Sequence, residues 1–233
     1  MRNAFVDEIT KIAKKDKKIV ILAGDIGYKL YDKFKELFPK RFYNCGVAES
    51  NMTTVAAGLA LKKYKPITYT IATFNVYKTI EQIKVDIAYP NLPVIIVGVG
   101  AGLSYSGLGS THHAIEDIGV LRSIPNLNII VPADANELRS LLRQIIKLKR
   151  PTYLRIGKTG EKNIYKNVPL TKIGKANYLV RGKKICIIGC GNILINASEA
   201  ILKLNKKNIF PSLISMHSIK PLDKNLLKKI FKK

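Results

Sequence analysis

Apolar positions along this chain switch repeatedly between a helical spacing of three to four and short continuous runs. Over residues 3–15, Phe5, Ile9, Ile12 and Ala13 fall on one helical face. The run KIVILA at residues 18–23 then reads as a buried strand that stops at Gly24-Asp25. Residues 49–63 are rich in Ala and Gly and predict a helix fit for close packing. Residues 66–72 alternate like a strand, and residues 74–88 read as a helix. LPVIIVGV at residues 92–99 is a second buried strand, running into a glycine-rich loop. A short helix over 113–122 and a strand over 127–131 follow, the latter closed by Pro132-Ala133-Asp134. A helix over 135–149 and a strand over 152–156 complete the unit. This alternation predicts an α/β domain with a largely parallel sheet covered by helices on both faces.

Residues 161–180 are polar, Lys-rich and weakly periodic, and read as a linker between a domain at 1–160 and a short, partial α/β domain at 181–233. The second unit shows a strand over 185–189, a helix over 193–204, a strand near 211–216 and a last helix over 223–231. Two strands and two helices leave an exposed sheet edge and fall short of the ~100 residues typical of a domain. The expectation is that this unit is truncated or leans on a partner.

Composition adds one unusual feature. Of 233 residues, 47% are hydrophobic and 24% charged, which is ordinary globular usage, but 40 Lys+Arg against 16 Asp+Glu leave a net charge of +24. Such a surface attracts polyanions. The lysines are scattered, however, and punctuate the ends of apolar segments. No zinc spacing, RNA-binding aromatic box or arginine-rich arm is present, so a solvated Lys-rich surface without a specific nucleic acid partner is expected. No run of ~18 uncharged apolar residues predicts a membrane span. The first eighteen residues lack the layout of a secretion signal, and three Cys cannot form a disulfide framework; the cytoplasm is the expected compartment.

Ligands of open α/β folds bind where the strands end, which directs attention to Asp25, Glu49, residues 73–74 and the stretch 98–113. Glu49 reads either as a first-turn acid complementing the helix dipole or as a buried carboxyl that shares a proton with a ligand nitrogen. The stretch GVGAGLSYSGLGSTHH at 98–113 has five glycines in sixteen residues but not the dinucleotide G-x-G-x-x-G spacing. It reads as a flexible loop carrying His112 and His113 beside a cleft, with at most one of them facing a ligand. No metal-ligand spacing accompanies them. His217 reads as a hydrogen-bonded structural residue, and Cys186 and Cys190 as core. Phe74 and Tyr77, spaced i and i+3, fit either core packing or stacking on a flat heterocycle.

Taken in order and spacing, these segments resemble the C-terminal half of transketolase over nearly the whole chain. The resemblance is carried by NCGVAE (44–49), ATF (72–74), QIKVDIAYPNLP (82–93), STHHAIED (110–117), RSIPN (122–126), VPAD (131–134) and MHSIKP (216–221). It implies a domain that binds the aminopyrimidine ring of thiamine diphosphate. The diphosphate and its Mg2+ (or Ca2+) would be held by a partner, because no GDG-and-Asn motif is present. The chain would then be the second subunit of a split transketolase in an α2β2 heterotetramer with an N-terminal-type subunit. That enzyme would transfer a two-carbon ketol unit between sugars or sugar phosphates. By the same resemblance Glu49 is the carboxylate on the pyrimidine ring nitrogen, and Phe74 and Tyr77 stack on the ring. Asp25 lies near the cofactor, His112 touches substrate, and Lys158 falls where the family has an Arg for the sugar phosphate. No metal ligand is assigned to this chain.

Departures from the family accompany these matches. Leu108 stands where an Asp four residues before the His reads a sugar hydroxyl, and Gly100 stands where a His helps hold the phosphate. The C-terminal domain is about half the family length. The related alternatives are a 2-oxo acid dehydrogenase β subunit, a deoxyxylulose-phosphate synthase-like half, and an inactive truncated scaffold.

Overall fold

The computed structural model describes residues 1–158 and 160–232. Helix α1 (Arg2–Lys15) leads into strand β1 (Ile19–Ala23), α2 (Asp32–Leu37), β2 (Phe42–Asn44), α3 (Glu49–Leu61) and β3 (Lys65–Ile71). Then come α4 (Ala72–Val76), α5 (Ile80–Gln82), β4 (Ile95–Val99), α6 (Asp117–Arg122), β5 (Asn128–Ile130), α7 (Ala135–Ile145) and β6 (Thr152–Ile156). The remainder comprises β7 (Asn177–Val180), β8 (Cys186–Gly189), α8 (Ile193–Asn205), β9 (Ser212–Ser215), β10 (Ser218–Lys220) and α9 (Lys224–Phe231).

A seven-stranded sheet runs in the order β10-β5-β6-β4-β3-β1-β2. It is parallel throughout except for β10, which pairs antiparallel with β5. Strands buried on both faces cannot alternate polar with apolar, which is why β1 and β4 are buried at every position. On one face Phe5 and Ile9 of α1 and Leu138 and Leu141 of α7 pack over Ile21, Ile67 and Val97. On the other, Met52, Ala56 and Ala60 of α3 pack against a cluster holding Leu22, Ile96 and Ile129. The small side chains of α3 allow this close approach to the sheet. Two ion pairs lock α1 to α7: Arg139 Nη1 to Asp7 Oδ2 at 2.6 Å and Arg143 Nε to Glu8 Oε1 at 2.6 Å. The α/β fold with helices on both faces is the one the pattern predicts.

Three local expectations are corrected. The helix expected over 74–88 is broken: a turn at 77–79 separates α4 from α5, and residues Ile83–Ala88 form a π-helix. The helix expected over 113–122 starts only at Asp117, after a 3-10 turn at Ser110–His112. The second unit has a three-stranded sheet, order β7-β9-β8, rather than two strands, and it sends β10 back to the edge of the large sheet. Strand β7 lies inside the span read as a linker; its four residues are all half-buried, so no buried run marks it.

The two units meet through buried polar groups. Asp134 caps α7 at Glu137 N (2.8 Å) and also accepts from Ile164 N and Tyr165 N at 2.7 and 2.8 Å. Glu137 accepts from Ala133 N, Ser215 Oγ and Tyr165 Oη. His217, expected to be hydrogen-bonded, is fully buried with both ring nitrogens lacking a partner. Cys186 and Cys190 are half-buried, not core.

Candidate active site

The chain passes from β1 to β2 on one side of β1 and then to β3 on the other, so the sheet has a switch point between β1 and β3. At such a point an open α/β sheet leaves a crevice outside the carboxyl ends of its strands. Glu49, the first residue of α3, holds its side chain against the ends of β1 and β3 and is 1% exposed. It fits because Gly24 follows β1: a Cβ at Gly24 would stand 3.0 Å from Thr70 and 3.6 Å from Glu49 Cγ. Burial therefore wins over the alternative of a solvated, dipole-complementing acid. Lys78, from the turn after α4, donates to Glu49 Oε2 at 2.7 Å.

Between α4 and the loop that follows β4 runs a row of rings. Phe74, half-buried in α4, meets the His112 imidazole edge-to-face with centroids 5.1 Å apart. His112 in turn faces Tyr105 at 6.0 Å, and Lys158 Nζ stands 4.6 Å from the Tyr105 ring centroid. Thr111 Oγ1 lies 2.9 Å from His112 Nδ1. His113 turns to a different partner, with Nε2 3.3 Å from Ser106 O.

Tyr77 is held from outside. Its hydroxyl donates to Glu116 Oε2 at 2.6 Å and accepts from Glu116 N at 3.1 Å. Burial, reinforced by the Glu116 carboxylate, pushes the phenol up to about 12. The same bond holds Glu116 below the usual carboxylate range. Asp25 sits at the rim with φ +51° and accepts from Asn44 Nδ2 at 2.9 Å. It lines a separate hollow with Tyr28, Lys35 and Phe42, away from the rings.

Underneath, Asp117 is fully buried and accepts from Tyr153 Oη at 2.6 Å and Arg155 Nε at 2.7 Å. Arg155 also donates to Ala114 O at 2.7 Å, which ties the histidine loop to the sheet. Phe74, His112 and Lys158 are thus joined through one row of rings, Glu49 is joined to Lys78 in the turn after α4, and Tyr77 in that same turn is joined to Glu116. Lys78, Tyr105 and Glu116 accompany them; Glu116 belongs to the STHHAIED stretch, but the sequence singles out none of the three as a site residue. Tyr105 lies within a glycine-rich stretch and Lys78 within what reads as continuous helix.

A buried carboxyl and a row of aromatic edges, with the hydroxyls of Thr70 and Thr73 buried and unbonded, suit a flat nitrogen-bearing heterocycle. Among the described residues no cluster of three or more His, Cys, Asp or Glu side chains could hold a metal ion. The donor set fits the aromatic half of thiamine diphosphate. It does not fit the metal and diphosphate. Among the described residues no helix is long and apolar enough to cross a membrane.

Comparison with known proteins agrees with this geometry. Residues 1–160 match the transketolase pyrimidine binding domain, and residues 174–233 match the transketolase C-terminal domain. One of the subunits of the apulose-4-phosphate transketolase of Phocaeicola vulgatus is 38% identical over 98% of this chain and 74% of its own length. The SqwH subunit of the 6-deoxy-6-sulfo-D-fructose transketolase of a Clostridium species is 31% identical over 96% of this chain and 70% of its own. A solved split-gene transketolase, an inactive β4 tetramer, superposes with a TM-score of 0.89 at 32% identity, covering 98% of this chain and 74% of that one. The chain belongs to the transketolase family of thiamine-diphosphate enzymes, as the C-terminal subunit of a split transketolase.

Proposed function

We propose that this chain supplies the pyrimidine-binding half of a two-subunit transketolase, a transferase that works only when an N-terminal-type subunit completes its site. The observation that carries this is the buried Glu49 carboxyl held against the ends of β1 and β3 in a chain that matches the transketolase pyrimidine binding domain over residues 1–160. Bound thiamine diphosphate supplies the nucleophilic carbon that carries a two-carbon ketol unit from ketose to aldose. Glu49 holds a proton at the pyrimidine ring nitrogen. Phe74 packs on the ring, and Tyr77, fixed by Glu116, closes its edge. His112 contacts the sugar, and Lys158, beside a cavity of about 430 Å³ at the junction of the two units, meets its anionic end. Asp25, which lines a separate hollow, has no part in holding the ring.

The diphosphate and Mg2+ (or Ca2+) belong to the partner subunit in this reading, because the described residues offer no acidic cluster for them. An α2β2 heterotetramer follows, since each site needs both kinds of chain; the inactive β4 assembly of a similar protein supports it. Residues 1–160 form the pyrimidine-binding domain, and the short C-terminal domain includes β7, which pairs with β9. The reaction is expected in the cytoplasm, with no nucleic acid or membrane partner. Relatives that act on apulose-4-phosphate and a sulfofructose support an unusual anionic sugar as substrate, in keeping with Leu108 and Gly100.

The test is co-expression with the N-terminal-type subunit, followed by ketol transfer assays with thiamine diphosphate, Mg2+ and a panel of ketose phosphates. Cofactor-dependent transfer is expected from the complex and none from this chain alone. A stable complex that transfers nothing from any donor would contradict the reading.

A further inference from the structure

Glu49 is nearly sealed from water, yet its one charged partner reaches it from the surface. Lys78 is about half exposed (49%) against 1% for Glu49, and its ammonium closes on Oε2 at 2.7 Å. Its backbone is anchored, because Ser50 Oγ donates to Lys78 O at 3.1 Å and pins the turn at 77–79 to α3, while the ammonium's one other contact is a long one, 3.5 Å from Val47 O. The other groups around the carboxyl are neutral or turned away. Gly24 and Thr70 carry no charge, Asp25 is engaged by Asn44, and burial keeps the Cys45 thiol protonated. Among the described residues no other cation lies within salt-bridge distance of Glu49.

A buried carboxylate needs a counter-charge, and without one it takes up a proton instead. A flexible lysine at the rim is a removable counter-charge: its stem packs against the protein while its head goes readily to water. A ring nitrogen that shares a proton on Oε2 would have to take the position Lys78 now fills.

We propose that Lys78 is a positioning residue that holds Glu49 as a carboxylate and blocks the ring site in the cofactor-free subunit, and that cofactor entry displaces it and loads one proton from solvent onto Glu49. This rests on the reading of Glu49 as the ring-nitrogen partner. No covalent bond changes. The ion pair is exchanged for a carboxyl–ring hydrogen bond, the lysine stays an ammonium in water, and one proton is consumed per site.

The experiment is calorimetric titration of thiamine diphosphate into the assembled two-subunit complex with Mg2+, in two buffers of different ionisation enthalpy. Protons released by the diphosphate are common to every variant, so the difference between variants carries the result. The wild type is expected to take up about one more proton per site than Lys78→Met, which already holds its proton. Lys78→Arg should restore the uptake. Lys78→Met should also bind the cofactor severalfold more tightly at pH 8, where proton supply limits the wild type. Equal proton counts in wild type and Lys78→Met would overturn the proposal.

A second measurement needs only this chain. Its infrared difference spectrum against Glu49→Gln should show a carboxylate band for the wild type at pH 7, and a protonated carboxyl band in the Lys78→Met background. A carboxylate in both would also overturn it. If Glu49→Gln leaves cofactor affinity unchanged, the role of Glu49 itself has failed. If Glu49→Gln weakens binding while Lys78→Met leaves the proton count unmoved, only the role of Lys78 has.

Discussion

The ring of Tyr105 stands where a side chain at Gly100 would begin. A Cβ at Gly100 would lie 2.0 Å from Tyr105 Cε2, and the backbone there has φ +82°, a conformation that L side chains rarely adopt. Where the resemblance to transketolase places a His, the space is therefore filled by a tyrosine ring. That ring in turn faces His112 and carries Lys158 above its face, so the exchange ties together the two residues proposed to meet the sugar. Gly100→Ala should lower the unfolding free energy by about 2–4 kcal/mol, combining left-handed strain with overpacking. In a Tyr105→Ala background the same substitution should cost only the strain, about 1 kcal/mol. Urea unfolding of the four variants checks this, and equal costs in both backgrounds would show that the ring is not what excludes a side chain.

Asp117 is a support beneath the histidine loop. Its carboxylate is fully buried and shared by Tyr153 and Arg155, and Arg155 in turn fastens Ala114. Asp117→Asn leaves a nearly buried guanidinium without its counter-charge, a loss of about 3–5 kcal/mol. A marked fall in the urea midpoint is expected, and a change below about 1 kcal/mol would mean the pair is incidental.

The junction between the two units contains groups that titrate in opposite senses. Burial lifts Glu137 from 4.5 to about 7 and lowers His217 from 6.5 to about 4. Folded Glu137 keeps a proton that the unfolded chain gives up near pH 4.5, so its contribution is full below that pH and falls as pH rises through about 7. The unfolded chain protonates His217 near pH 6.5 but the folded one only near 4, so its contribution is lost as pH falls across that interval. Each spans about 3 kcal/mol at 1.36 kcal/mol per unit of pKa. The two slopes oppose each other between pH 4.5 and 6.5. Relative to wild type, Glu137→Gln should gain stability with rising pH over this window, and His217→Gln should lose it. Parallel stability profiles for all three proteins would contradict the assignment.

Much of the fold is legible along the chain, for identifiable reasons. The strands of the large sheet are short apolar runs, and β6 has the bounds its pattern predicts because it is covered on both faces. Glu49 stands out as an acid opening an Ala- and Gly-rich helix, and the small residues around it are what bury it. Lys78 does not stand out, because Phe74 to Ala88 keeps a helical spacing across a break that only packing against α3 imposes. Strand β10 is invisible in the sequence because its three residues pair with β5, far back in the chain. His217 lacks the hydrogen bonds its sequence suggests, since a polar residue in an apolar strand end gives no sign of whether its partners exist in space.

Replacing Glu49 by Gln in the reconstituted two-subunit enzyme is the most direct single test of the site. The amide keeps the shape but cannot pass a proton to the ring nitrogen. Ketol transfer at saturating cofactor is expected to fall by about 100-fold or more, with the complex and its fold intact. Transfer at near-wild-type rate by Glu49→Gln would show that the buried carboxyl does not serve the reaction.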